Sequence, residues 1–147
     1  MTDRHETFML RCIDLAKQAQ ALSYTPVGAL VVLENAVIAE AHEAYPNSLD
    51  VTAHAEIRAI QNACRTLNSL SLDRCTLYTT AEPCWMCSYA IRETGIVRVV
   101  IGAPTPDVGG ISSQHPLLID DTITVWATPP EIVSGVLEEQ CRGLYRL

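Results

Sequence analysis

No apolar run in this sequence approaches the ~20 residues that a membrane-crossing helix needs, so no transmembrane segment is expected. Basic residues are also scarce. Ten Lys and Arg stand against seventeen Asp and Glu, for a net charge of −7. Such a surface repels phosphate backbones unless its few cations gather on one face. They are scattered instead, and the final stretch carries only Arg142 and Arg146. Nucleic acid is therefore disfavoured as a partner. No glycine-rich or basic phosphate cradle is visible, which disfavours nucleotides as well. Internal repeats, low-complexity tracts and linkers are missing. The start, Met1-Thr2-Asp3-Arg4-His5-Glu6, lacks the basic head and apolar middle of a signal peptide, so the expected location is the cytoplasm.

What is present suits one folded unit. At 147 residues, 48% apolar and 18% charged, the chain can bury a sizeable core, and 1–147 reads as a single domain. Six cysteines in so well supplied a chain point to metal or redox chemistry rather than to a disulfide framework. Helical and strand patterns alternate, which predicts a layered α/β domain. Phe8, Met9, Cys12, Ile13, Ala16 and Ala19 recur at helical spacing and predict a helix over 3–21. A strand follows over 26–33, then a hairpin turn at Glu34-Asn35 and a strand over 37–41. Ile57, Ile60, Cys64 and Leu67 mark one face of a second helix, with a strand at 75–80 beyond it. A third helix begins near Cys84 and stops at Gly95, a residue suited to a left-handed cap. A very apolar strand spans 96–101, an irregular loop 102–121 and a fifth strand 122–127. Thr128-Pro129-Pro130-Glu131 reads as a capping box opening the last helix. Strands on either side of the third helix should run parallel, because a helical crossover joins them.

Two short segments carry chemistry: His54-Ala55-Glu56 at the start of the second helix, and Pro83-Cys84-Trp85-Met86-Cys87 at the start of the third. Cysteines three apart share a helix face, and a helix N-terminus favours thiolates. Zn²⁺ prefers thiolate and imidazole ligands, and three protein ligands with one open position mark a catalytic site. His54, Cys84 and Cys87 supply three. Two thiolates and a neutral imidazole cancel the metal charge, yet zinc still lowers the pKa of bound water towards roughly 7. Glu56 shares the first turn with His54, and as a carboxylate outside the ligand set it suits proton transfer. Pro-Cys-x-x-Cys with His-x-Glu upstream is the signature of zinc nucleobase deaminases.

These residues, with Pro26-Val27-Gly28-Ala29, Thr52-Ala53 and Leu77-Tyr78-Thr79-Thr80-Ala81-Glu82, resemble the cytidine-deaminase superfamily over about half the chain. The closest resemblance is to the branch of guanine deaminases, fungal-type cytosine deaminases and bacterial tRNA adenosine deaminases. It implies a three-layer α/β/α sandwich with a mixed five-stranded sheet, one zinc per subunit, and a homodimer. It also implies a pocket walled by the Ala29 strand and framed by Ala55, Ala81, Glu82 and Pro83, with His115 in the loop that covers the ligand. Members of this branch carry an Asn upstream of the zinc histidine, whose amide bonds the substrate ring. Here that place is Glu43. An ionised carboxylate only accepts hydrogen bonds, so it favours an amino-rich ring.

For the other residues blander roles are expected. Cys12, Cys64, Cys75 and Cys141 read as packing residues, Trp85 and Trp126 as core, His5 and Asp107 as solvated, and His42 as structural. The leading functional expectation is hydrolytic deamination of a free nucleobase or similar amino-heterocycle, releasing ammonia. The alternatives are deamination of tRNA adenosine, of cytosine or of a nucleoside. A non-enzymatic zinc or redox protein is the rival of another class.

Overall fold

Glu34 and Asn35 both take left-handed backbone angles, φ 51° and 68°, as a two-residue hairpin turn between right-twisted strands requires. In the computed structural model, which describes residues 4–145, they join β1 (Gly28–Leu33) to β2 (Ala36–His42). The first helix, α1, runs Arg4–Ala21. Asp3, the first residue of the expected helix, lies outside the described residues, as does Arg146. Helix α2 spans Ala55–Leu67, β3 Thr76–Ala81, α3 Trp85–Thr94 and β4 Arg98–Ala103. Gly95 ends α3 at φ 76°, and its amide returns to the Arg92 and Ile91 carbonyls, so the left-handed cap expected there forms.

The five strands lie in the order β2-β1-β3-β4-β5, with β1 antiparallel to β2 and β3, and β4 parallel to β3 and β5. Side chains alternate between two apolar layers. Leu77, Val99 and Ile101 join α2 and α3 in one, while Tyr78, Val100 and Leu30 join α1 and the last helix in the other. The result is the three-layer α/β/α sandwich with a mixed five-stranded sheet. Among the described residues, no helix is long and apolar enough to cross a membrane.

The last third departs from the sequence expectation in two ways. The fifth strand, β5, is Glu131–Val133 and not 122–127, and the last helix, α4, is Glu138–Gly143 rather than starting at Thr128. The capping box fails because Thr128 and Pro129 each precede a proline, which pushes both out of the helical region. Ile132 and Val133 instead reach opposite apolar layers while pairing with β4. Residues 122–127 cannot ladder because their neighbours are already engaged. The Asp120 carboxylate takes the Thr122 amide and hydroxyl, and Arg92 of α3 donates to the carbonyls of Leu117, Asp120 and Ala127. The Arg92 guanidinium also lies 5.0 Å from the centre of the Trp126 ring, whose Nε1 donates to Glu93.

One buried guanidinium thus holds the long return loop against α3. Arg92→Lys keeps the charge but loses the planar fork. It should cost on the order of 2–4 kcal/mol and lower Tm by roughly 5–15 °C in a calorimetric scan. An unchanged Tm would mean that packing alone holds the loop.

Candidate active site

Helices α2 and α3 begin side by side. His54 is the N-cap residue of α2 and Cys84 that of α3, both in extended backbone. His54 cannot cap its own helix, because its ring is turned to the cysteines. Nδ1 lies 3.5 Å from Cys84 Sγ and 3.6 Å from Cys87 Sγ, and the two sulfurs are 3.7 Å apart. Tetrahedral zinc, with bonds of about 2.3 Å to sulfur and 2.0–2.1 Å to nitrogen, sets sulfurs about 3.8 Å apart and sulfur and nitrogen about 3.5 Å apart. The trio therefore has the edges of a zinc tetrahedron, and its three donor types fit that metal. These three form the only cluster of such side chains suited to a metal among the described residues.

Charge in the trio is strongly redistributed. Hydrogen bonding to Cys87 and His54 pulls the Cys84 thiol down to about 4, against the opposing push of burial. The bond to Cys84 raises the His54 imidazole to about 9, again against burial. Cys87 is driven up, first by Cys84 and then by burial. Metal binding must displace the protons held on His54 and Cys87, so its affinity falls in acid.

The trio opens on a cavity of about 380 Å³. Three buried carboxylates line it, Glu43, Glu56 and Glu82. Burial, and next the like charge of Glu43, push Glu56 up to about 8, and a divalent cation beside it draws it back down. Burial raises Glu43 to about 7, opposed by a hydrogen bond from the Ala55 amide. That bond, 2.7 Å to Oε1, caps α2 in place of His54. Glu43 Oε2 has no hydrogen-bond partner among the described residues, and the Glu43 side chain lines the cavity. Arg58 donates to the His42 carbonyl and His42 Nδ1 bonds the Glu43 carbonyl, so the backbone beneath Glu43 is fixed.

Of the residues expected around the pocket, Glu43, Ala81 and Glu82 do line the cavity, with His54, Cys84 and Glu56. Ala29 does not: strand alternation sends it into the apolar core, and Val27 forms that wall. Ala55 is buried and contributes only its amide to Glu43. Pro83 is buried too, its carbonyl taken by the Gly110 amide. His115 is exposed and edges onto the Trp85 ring 5.6 Å away, outside the cavity. Trp85 and Trp126 accordingly sit at the surface of α3 rather than in the core. All six cysteines are free. The sequence reading missed Thr25, the wall from Pro104 to Val108, and Tyr145 near the chain end. Only the prolines of that wall carried a local signal, and they read as irregular loop.

Residues 2–103 match the cytidine and deoxycytidylate deaminase zinc-binding region. The chain belongs to this family. It is a zinc-dependent hydrolase of the deaminase type, and its similarity to individual members is uneven. It is 37% identical to a tRNA-specific adenosine deaminase of Bacillus subtilis over 139 residues, covering 95% of this chain and 84% of that one. A guanine deaminase of the same species is 47% identical over 88 residues, 59% of this chain and 56% of that one. A structure from work on A-to-I editing by tRNA:A34 deaminases at the wobble position of transfer RNA superposes with a TM-score of 0.86 at 33% identity. It covers 94% of this chain and 98% of that one.

Two substitutions separate metal binding from chemistry in this deaminase. The wild type should carry about one Zn²⁺ per chain, and Cys87→Ala should lose most of it by metal analysis. Glu56→Gln should keep its zinc while turnover falls by ~10²–10⁴-fold. Activity within a few-fold of wild type would remove Glu56 from proton transfer.

Proposed function

We propose that this deaminase hydrolyses the exocyclic amine of adenosine in transfer RNA, giving inosine and ammonia. The observation that carries this reading is the extent of similarity. The tRNA-specific adenosine deaminase of Bacillus subtilis aligns along 95% of the chain, whereas the guanine deaminase of the same species aligns over 59% of it. This reverses the order that charge and composition suggest. His54, Cys84 and Cys87 would hold the zinc, which when bound would supply the Lewis acidity that makes water a nucleophile near neutral pH. Glu56, buried beside the trio, takes the proton from the attacking water and delivers it to the departing amine.

A second reading, deamination of a free amino-rich heterocycle, is favoured by one specific feature. Among the described residues the cavity lining holds no Lys or Arg, and it includes Glu43, whose second carboxylate oxygen is left for a ligand. Facing a ring carbonyl, that oxygen sets two acceptors together at a cost of about 1–3 kcal/mol. Facing ring N–H or amino groups, it forms charge-assisted bonds. Guanine-like bases, diaminopyrimidines and aminotriazines meet this demand better than cytosine, which offers fewer ring N–H and amino donors beside its carbonyl.

An anticodon stem-loop containing adenosine, assayed beside a panel of free bases and nucleosides, separates the two. Inosine in the stem-loop at physiological salt is the expected result. Ammonia from a free heterocycle, with the stem-loop untouched, would establish the second reading in its place. Glu43→Gln keeps the cap on Ala55 and turns the open oxygen into a donor. If Glu43 reads the ring, the ratio of kcat/KM values shifts towards carbonyl-bearing substrates.

The chain is further proposed to act in the cytoplasm as a single deaminase domain paired into a homodimer. Trp85 and Tyr89, one turn apart on α3 and 38% and 53% exposed, offer the apolar face for that pairing. Light scattering should return the mass of two chains, and the mass of one would dismiss the dimer.

A further inference from the structure

Glu82 follows β3 directly, and its amide extends the β3–β4 ladder to the Ala103 carbonyl. Its side chain is 4% exposed. The carboxylate does not reach for the metal trio. Oε1 accepts the Thr105 amide at 3.0 Å and the Ser112 hydroxyl at 2.7 Å. Oε2 accepts the amides of Ile111 and Ser112 at 2.8 and 2.9 Å. Four donors from one loop converge on a single side chain. Burial alone would push this carboxyl up, but the Ser112, Thr105 and Ile111 bonds outweigh it and hold it below the ordinary value.

The same loop supplies Pro104, Thr105, Pro106 and Val108 to the catalytic cavity. A second cavity, of about 200 Å³, shares Glu82 and Pro104 with the first and includes Ile111 and Ser112. At Pro104 the wall has open space on both sides, and there the polar contacts of the loop hold its place. The loop is also drawn onto the metal-ligand segment, through a bridge between Cys84 and Gly109. Gly109 has no room for a side chain there: a Cβ would lie 2.0 Å from Glu82 Oε2 and 2.4 Å from the Thr105 carbonyl.

We infer that Glu82 is a positioning residue for substrate, whose carboxylate gathers the 104–112 loop into the wall that holds the ring against the His54, Cys84 and Cys87 centre. It moves no proton and binds no metal. Its effect belongs to substrate binding, and only the kinetic arm of its test rests on the deaminase reading.

Glu82→Gln is nearly isosteric but faces amide N–H donors with an NH₂ group, so two donors collide. With the stem-loop or free heterocycle that the wild type turns over, KM should rise roughly tenfold or more while kcat stays within a few-fold. Zinc content should not change. Amide exchange at Thr105, Ile111 and Ser112 should quicken, while the α2 and α3 amides keep their protection. Gly109→Ala, which displaces the carboxylate from the opposite side, should reproduce both effects and stands in if Glu82→Gln fails to fold. Unchanged KM with unchanged exchange would overturn the assignment. So would lost zinc, or a fall in kcat alone, since either puts Glu82 on the metal or the chemistry. If no substrate is found even for the wild type, the functional reading fails by itself, and local exchange still decides whether Glu82 holds the wall.

Discussion

The approach of one imidazole to two sulfurs, all within 3.7 Å of one another, is the constraint around which this end of the molecule is arranged. It requires two helices to begin at the same point. The sheet achieves this by running β2 and β3 in the same direction on either side of β1, so that the segments leaving their C-terminal ends deliver His54 and Cys84 to a common edge. Both residues occupy helix N-cap positions, where Ser, Thr or Asp would ordinarily satisfy the exposed amides. Committing His54 to the metal leaves α2 without its own cap, and Glu43 supplies it from a distant loop. Metal binding and helix capping are thereby linked through a residue that also faces the substrate cavity.

Three buried carboxylates lie around this centre, and the number of donors each receives separates their roles. Glu82 receives four and is held below the ordinary carboxylate range; it organises the loop. Glu43 receives one and rises to about 7; half of it caps a helix and half is left for a ligand. Glu56 receives only its own backbone amide and rises to about 8, where a carboxyl both takes and gives protons near neutrality. The physical rule is the same in each case. Burial penalises charge, and hydrogen bonds to the charged form restore it.

At the other end of α3, Arg92 does for the return loop what Glu82 does for the cavity wall. It gathers three carbonyls onto one buried cation. In both places a single charged side chain shapes an irregular segment, whose backbone groups have no ladder to join and must be satisfied some other way.

Local pattern determined much of this protein. Consecutive residues dictate the hairpin at Glu34-Asn35, the cap at Gly95 and the alternation of β3 and β4, because each depends on angles and spacings within a few positions. The metal trio and Glu56 were legible for a similar reason: two helix starts, one with His-x-Glu and the other with two cysteines one turn apart, carry a pattern specific to one chemistry. Beyond residue 103 the decisions are tertiary. Thr128-Pro129-Pro130-Glu131 resembles a helix start, yet the strand forms at Glu131–Val133 because both apolar layers and the open edge of β4 needed filling. Ala29 and His115 were placed at the pocket by their sequence neighbours, but strand alternation and the Trp85 ring turn them elsewhere. Glu82 read as part of a motif, and no local pattern announces that its carboxylate gathers a loop some twenty-five residues away. Contacts at that separation depend on which segments the sheet brings together, and only the folded chain decides that.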